Sequence, residues 1–171
     1  MKNPISRLLA LAAVVVLLCA FDKTWTRYTN DEAKLSVMLP AEPEVKSSVE
    51  KTAAGDIALW QASVIQESRA YFVLYNDLPA STWKGDPKKM LLAARDGAAK
   101  RSKGKLVADR AIKLANRYPG REFKLVLEKM ELTQRVYVVG HRLYQIHMGC
   151  LVGTCTAKEI QAYLDSLKIL K

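Results

Sequence analysis

A chain of 171 residues, half of them hydrophobic, with 27 Lys and Arg against 17 Asp and Glu, has the composition of one folded domain and not of a disordered or multidomain protein. Two histidines and three cysteines leave little material for a zinc cluster. There is no G-x-S-x-G elbow, phosphate-binding glycine loop, H-E-x-x-H or C-x-x-C, so a non-enzymatic chain without metal or cofactor is expected. The net charge of +10 is unevenly spread: residues 21–83 carry 6 basic and 9 acidic side chains, whereas residues 84–142 carry 16 and 6.

Lys2 and Arg7 flank a polar start, and residues 8–21 (LLALAAVVVLLCAF) follow as an uncharged apolar run. The run is short for a membrane span, which needs about 20 apolar residues, and it carries the small residue Ala20 near its end. Residues 1–20 are therefore expected to be a secretory signal cut after Ala20, leaving 21–171 as one exported domain in the periplasm or outside the cell. Cys19 stands where a lipoprotein cysteine could, but Leu18 precedes it instead of a small residue; lipid anchoring through Cys19 and an uncleaved anchor are the alternatives. Loss of the leader lowers the cysteine count from three to two and the charge to +8.

In the domain, residues 24–29 and 35–39 alternate around Asn30 and Asp31, an expected edge hairpin that Pro40 and Pro43 terminate. Residues 44–51 are strand-compatible, Gly55-Asp56 supplies a turn, and 57–65 and 69–76 read as strands joined at Glu67-Ser68. Trp60, Tyr71, Phe72 and Tyr75 are assigned to the core or a sheet face. After a linker at 79–86, Asp86 is an N-cap and Pro87 a first helical residue, with a narrow stripe of Met90, Leu91, Ala94 and Ala98 before Gly104. Residues 105–117 return to strand, Pro119 and Gly120 suit the centre of a type II turn, and 121–132 read as the next strand.

Residues 134–148 predict a hairpin with Gly140 opening a two-residue type II′ turn and His141 at its tip. Tyr144, Ile146 and Met148 then share one face, and Leu143, Gln145 and His147 the other. One face should be core; the mixed polarity of the second suggests solvent or a partner. Thr156 and Glu159 form a capping box for a closing helix that carries Ile160, Tyr163, Leu164, Leu167 and Leu170 on one side.

Two constellations carry chemistry. Cys150 and Cys155 would pair in an oxidising compartment, closing the loop CLVGTC, while His147-x-x-Cys150 with Cys155 leaves open a thiol or metal site, or a redox pair near a helix N-terminus. Lys100, Arg101, Lys103 and Lys105 form a dense basic cluster suited to an anionic membrane surface or an acidic envelope protein, or simply to a solvated face. No aromatic interleaves it, and nucleic acid is not an expected partner.

The order of elements describes an α+β fold: a curved antiparallel sheet with a helix on each face, an α/β/α sandwich. With that order, "LSVMLPAEP", "YPGREF", "RVYVVGHRLYQI" and "YLDSLKIL" make the chain resemble the PsbP-like fold family of small extracytoplasmic proteins. PsbP itself is an extrinsic accessory subunit of photosystem II, and many bacterial members have no assigned function. The resemblance implies the fold and an accessory or binding role in the cell envelope. Its motifs are turns and core positions, so no functional residue carries over. Neither sequence nor resemblance sets the oligomeric state.

Overall fold

The computed structural model describes residues 25–52, 55–79 and 85–170; the expected leader at 1–20 with Cys19, and residues 80–84 of the expected linker, lie outside the described residues. In chain order the elements are β1 (Thr26–Asn30), β2 (Leu35–Leu39), β3 (Glu44–Thr52), β4 (Gly55–Gln66), β5 (Arg69–Asp77) and α1 (Pro87–Ser102). Then follow β6 (Lys105–Leu114), β7 (Tyr118–Val126), β8 (Met130–Val139), β9 (Arg142–Leu151), α2 (Ala157–Leu164) and β10 (Lys168–Ile169). All ladders are antiparallel. Seven strands form one sheet in the order β3-β4-β5-β9-β8-β7-β6, and β1-β2-β10 form a smaller one.

Helices lie on both faces of the large sheet, so the α+β expectation holds, but the fold is richer in sheet than a balanced α/β/α sandwich. The smaller sheet shares one face with α2. There Leu35, Val37, Leu39, Tyr163 and Leu164 pack on Val73, Tyr144, Ile146 and Met148, all of them buried. The opposite face carries a second core in which Leu91 and Ala98 of α1 cover Phe123, Leu125, Val136 and Val138. Each fully buried aliphatic side chain is worth about 1.5–3 kcal/mol, so these two clusters dominate stability.

The caps form where the sequence places them. Asp86 Oδ1 accepts a 3.2 Å hydrogen bond from the Lys89 N–H, with Pro87 behind it. Thr156 Oγ1 accepts from the Glu159 N–H at 3.2 Å while Glu159 Oε2 accepts from the Thr156 N–H at 2.8 Å. α1 ends one residue earlier than Gly104 suggests, because Lys103 takes the left-handed position at φ 54°. Gly104 serves a close approach instead: a Cβ there would lie 3.1 Å from that of Leu125.

Three expectations are corrected. Pro119 and Gly120 do not make a turn; both lie inside β7, and the chain reverses at Ala115 and Asn116, which have φ of 50° and 55°, with the Arg117 N–H donating to the Leu114 carbonyl. Asn tolerates the left-handed region, and this register is the one that buries Phe123 and Leu125 under α1. Pro119 lies beyond the β7–β8 register, which starts at Gly120. The expected strand 121–132 is likewise divided, since the Leu127 N–H donates to the Met130 carbonyl and separates β7 from β8. Finally, α2 stops at Leu164. Leu167 still enters the core, but β10 pairs with β2, and the Leu170 N–H reaches the Lys34 carbonyl.

Candidate functional site

The β8–β9 hairpin turns at Gly140 (φ 61°) and His141, and its period-two alternation sends Tyr144, Ile146 and Met148 into the first core. Leu143, Gln145 and His147 therefore face the side of α1. On that side cross-strand neighbours line up in rows: Ser63, Phe72, His147 and Gln134 in one, and Gln61, Leu74, Gln145 and Val136 in the next. α1 packs over β7 and β8 and leaves the β4, β5 and β9 ends of these rows uncovered.

The result is an open groove of about 560 Å³ between α1 and the sheet. Leu59, Leu74 and Leu143 supply an apolar floor interrupted by Gln61, Asn76, Gln134 and Gln145; Met90 and Ala94 line the α1 wall. Gln134 Nε2 donates to Gln145 Oε1 at 2.8 Å, which orients both amides and leaves the Gln145 NH2 clear of that bond. Arg101 and Ser102 contribute from the last turn of α1, and Glu50 from edge strand β3.

His147 lines the same groove, its ring 4.6 Å from that of Phe72 at an interplanar angle of 28°. The side chain as a whole is partly accessible, but Nδ1 is enclosed without a hydrogen-bond partner. Burial pushes its pKa down to about 4, so the imidazole is neutral at physiological pH. A buried lone pair is tolerated better than a buried orphan N–H, which favours the tautomer that keeps its proton on Nε2. His141, by contrast, is exposed at the hairpin tip, 3.8 Å from Asp77.

Cys150 and Cys155 are joined, with Sγ–Sγ 2.08 Å and Cα–Cα 6.1 Å. Cys150 belongs to the first core beside Met148, and His147, an odd number of residues away on the same strand, points to the other face. The structure brings the two sulfurs together and does not bring His147 to them. No cluster of three or more potential metal ligands occurs among the described residues.

Lys100, Arg101, Lys103 and Lys105 gather where α1 passes into β6, all exposed and without an ion pair among the described residues. Several other cations of the middle segment are engaged internally. Arg95 and Arg121 share Asp109, Arg110 and Arg135 share Glu122, Lys124 meets Glu131, and Arg142 grips Asp77 while lying 4.1 Å over the Tyr75 ring. The four cations of this cluster form the densest group of unpaired positive charge among the described residues, next to the Arg101 end of the groove. Sequence reading found this cluster and the odd face of β9. It missed Gln61, Asn76 and Gln134: Gln61 stood out as a polar residue between apolar neighbours, whereas Asn76 and Gln134 have polar neighbours in sequence and carried no such signal.

No protein-family model matches the chain, and no curated protein matches it by sequence. The fold is similar to that of cyanobacterial PsbP from Synechocystis sp. PCC 6803, with TM-score 0.58 and 11% identity over 86% of this chain and 93% of that one. A protein of unknown function from Pseudomonas aeruginosa is a more distant match, with TM-score 0.37 and 10% identity over 75% of this chain and 83% of the other. The first likeness extends across nearly the whole domain and supports a PsbP-like fold.

Proposed function

We propose that this chain is an exported, non-enzymatic binding domain that serves an accessory role in the cell envelope, holding a small amphipathic ligand in the groove beneath α1. The observation that carries the reading is the uncovered half of the sheet: a groove of about 560 Å³ falls within the size range of small-molecule sites, and its leucine floor is interrupted by a few amides and one imidazole. Such a surface takes an apolar body and hydrogen-bonds one polar end. Arg101 at the α1 end offers a partner to an acidic group, while Glu50 lies on the β3 side. The neighbouring Lys100, Lys103 and Lys105 would let the domain rest on an anionic surface or an acidic partner while the groove stays open.

The non-enzymatic part of the reading rests on His147. No hydroxyl, thiol or carboxylate is hydrogen-bonded to it among the described residues, and nucleophilic catalysis by a histidine relay needs such a neighbour. Export is supported by the apolar leader and by the Cys150–Cys155 pair, because disulfides persist in oxidising compartments.

The test is titration of the purified protein with dansyl-undecanoate, an acidic amphiphile that fluoresces in apolar surroundings. Saturable one-to-one binding is expected in the parent protein, with loss in Ala94→Trp, which fills the groove, and weakening in Arg101→Glu. Binding that is unsaturable, or equal in parent and Ala94→Trp, sinks the proposal.

A further inference from the structure

The two edges of the large sheet are finished differently. β6 carries a register shift between Leu106 and Ala108, a feature that discourages pairing with another strand. β3 has no proline and no bulge. Its ladder with β4 runs unbroken from Glu44, residues 44–51 are exposed, and Val45 and Val49 keep 48% and 64% of their surface. An unbroken strand of this length offers a row of free backbone donors and acceptors.

The charges on β3 select what can sit there. In an antiparallel pair, directly opposed side chains share a face, so two copies of one strand can pair only about a residue that faces itself. About Ser47, Glu44 meets Glu50 twice; about Lys46, that lysine meets itself. Centres at Val45 and Val49 oppose no like charges but leave part of β3 unpaired; about Ser48, the midpoint of residues 44–52, the whole strand pairs, Lys46 meets Glu50 twice and Val49 packs on Ser47 twice, with no like charges opposed. Among the described residues of one copy Lys46 pairs with Glu44, at 2.8 Å, in a pair whose members are more than 60% exposed and easily redirected.

We propose that two copies of this chain join edge to edge through β3, antiparallel about Ser48, fusing their seven-stranded sheets into one. The pairing extends the groove. Lys46 and Glu50 lie opposite Gln61 and Ile57 on β4, both of which line it, so the partner's Lys46 stands beside Glu50 at the outer lip.

The test is molar mass by light scattering and sedimentation from about 1 to about 200 μM, a range that brackets a modest association. The parent should pass from one copy to two. Glu50→Lys and Lys46→Glu, each opposing like charges twice, should raise the dissociation constant about tenfold or more, and the double exchange K46E/E50K should restore it. Both side chains are exposed, and unchanged circular dichroism separates lost pairing from lost folding. A mass of one copy at every concentration overturns the proposal, as does a dimer indifferent to the single reversals or not recovered in the double.

Discussion

Gly120 and Tyr137 face each other across the β7–β8 ladder, and a Cβ at position 120 would lie 2.3 Å from Tyr137 Cδ1 and 2.9 Å from the Val136 carbonyl oxygen. The ring, only 2% exposed, has no free space to retreat into. Gly120→Ala is therefore expected to destabilise the domain by about 1–3 kcal/mol, the usual cost of overpacking, read as a lower urea midpoint at unchanged slope. An unshifted midpoint would show that the strands separate at little cost.

Arg135 is 8% exposed and joins α2 to the sheet through Glu122 and Asp165, each at 2.6 Å, and Gln161. Burial works to raise the pKa of the Glu122 carboxyl, but hydrogen bonds from Arg135 and Arg110 prevail and hold it below the usual carboxylate value. Arg135→Met removes one of the two guanidinium groups that meet Glu122 at 2.6 Å, the other being Arg110, and should cost about 1–3 kcal/mol. Adding Glu122→Gln should cost less than the sum of the single changes, because the buried charge is removed with its partner. Strict additivity in urea unfolding would disprove the coupling.

Acid should weaken the fold in two stages. His147, lowered to about 4 by burial, must be neutral to stay in place, so its contribution is complete above its unfolded value near 6.5 and is lost as pH falls from there toward 4. Glu122, Asp109 and Asp77 have depressed pKa values, so their contributions persist above ordinary carboxylate values and disappear as pH falls through their lower folded ones. His147→Phe should flatten the first stage and leave the second. Parallel profiles of stability against pH for parent and variant would remove His147 from this account.

The Cys150–Cys155 bond closes a six-residue loop directly before the capping box of α2. Chain entropy assigns such a closure about 2 kcal/mol, so reduction should lower the unfolding midpoint without unfolding the domain. Intact mass before and after reduction and alkylation checks the bond itself; free thiols in protein purified without reductant would contradict it.

The basic corner predicts salt-dependent retention on anionic vesicles. Replacing Lys100, Lys103 and Lys105 together by Glu should abolish retention at low salt, because interactions between exposed charges fade beyond a Debye length of about 10 Å at 0.1 M. Retention equal at low and high salt would exclude the electrostatic role.

Local rules were legible in the sequence wherever one residue type does one job. Asp86 with Pro87, Thr156 with Glu159, and Gly140 at a positive φ all act within a turn of themselves, so their roles survive any tertiary context. The alternation of Tyr144, Ile146 and Met148 identified a buried face for the same reason. The groove was half legible. Leu143, Gln145 and His147 could be placed on one face, but that α1 stops short of that face depends on its packing over β7 and β8.

What the sequence by itself determined is thus most of the strands, the caps, the two cysteines free to pair and the basic cluster, because these follow from periodicity, backbone preference and charge; β10 and the division between β7 and β8 were not among them. Tertiary structure alone decided three further points. It put Pro119 and Gly120 inside a strand, since burying Phe123 and Leu125 and admitting the Tyr137 ring outweighs a turn signal. It set His147 and Cys150 on opposite faces of β9, since strand geometry turns an odd spacing into separation. It left the amide-lined half of the sheet uncovered, since α1, with its narrow apolar stripe, packs mainly over β7 and β8.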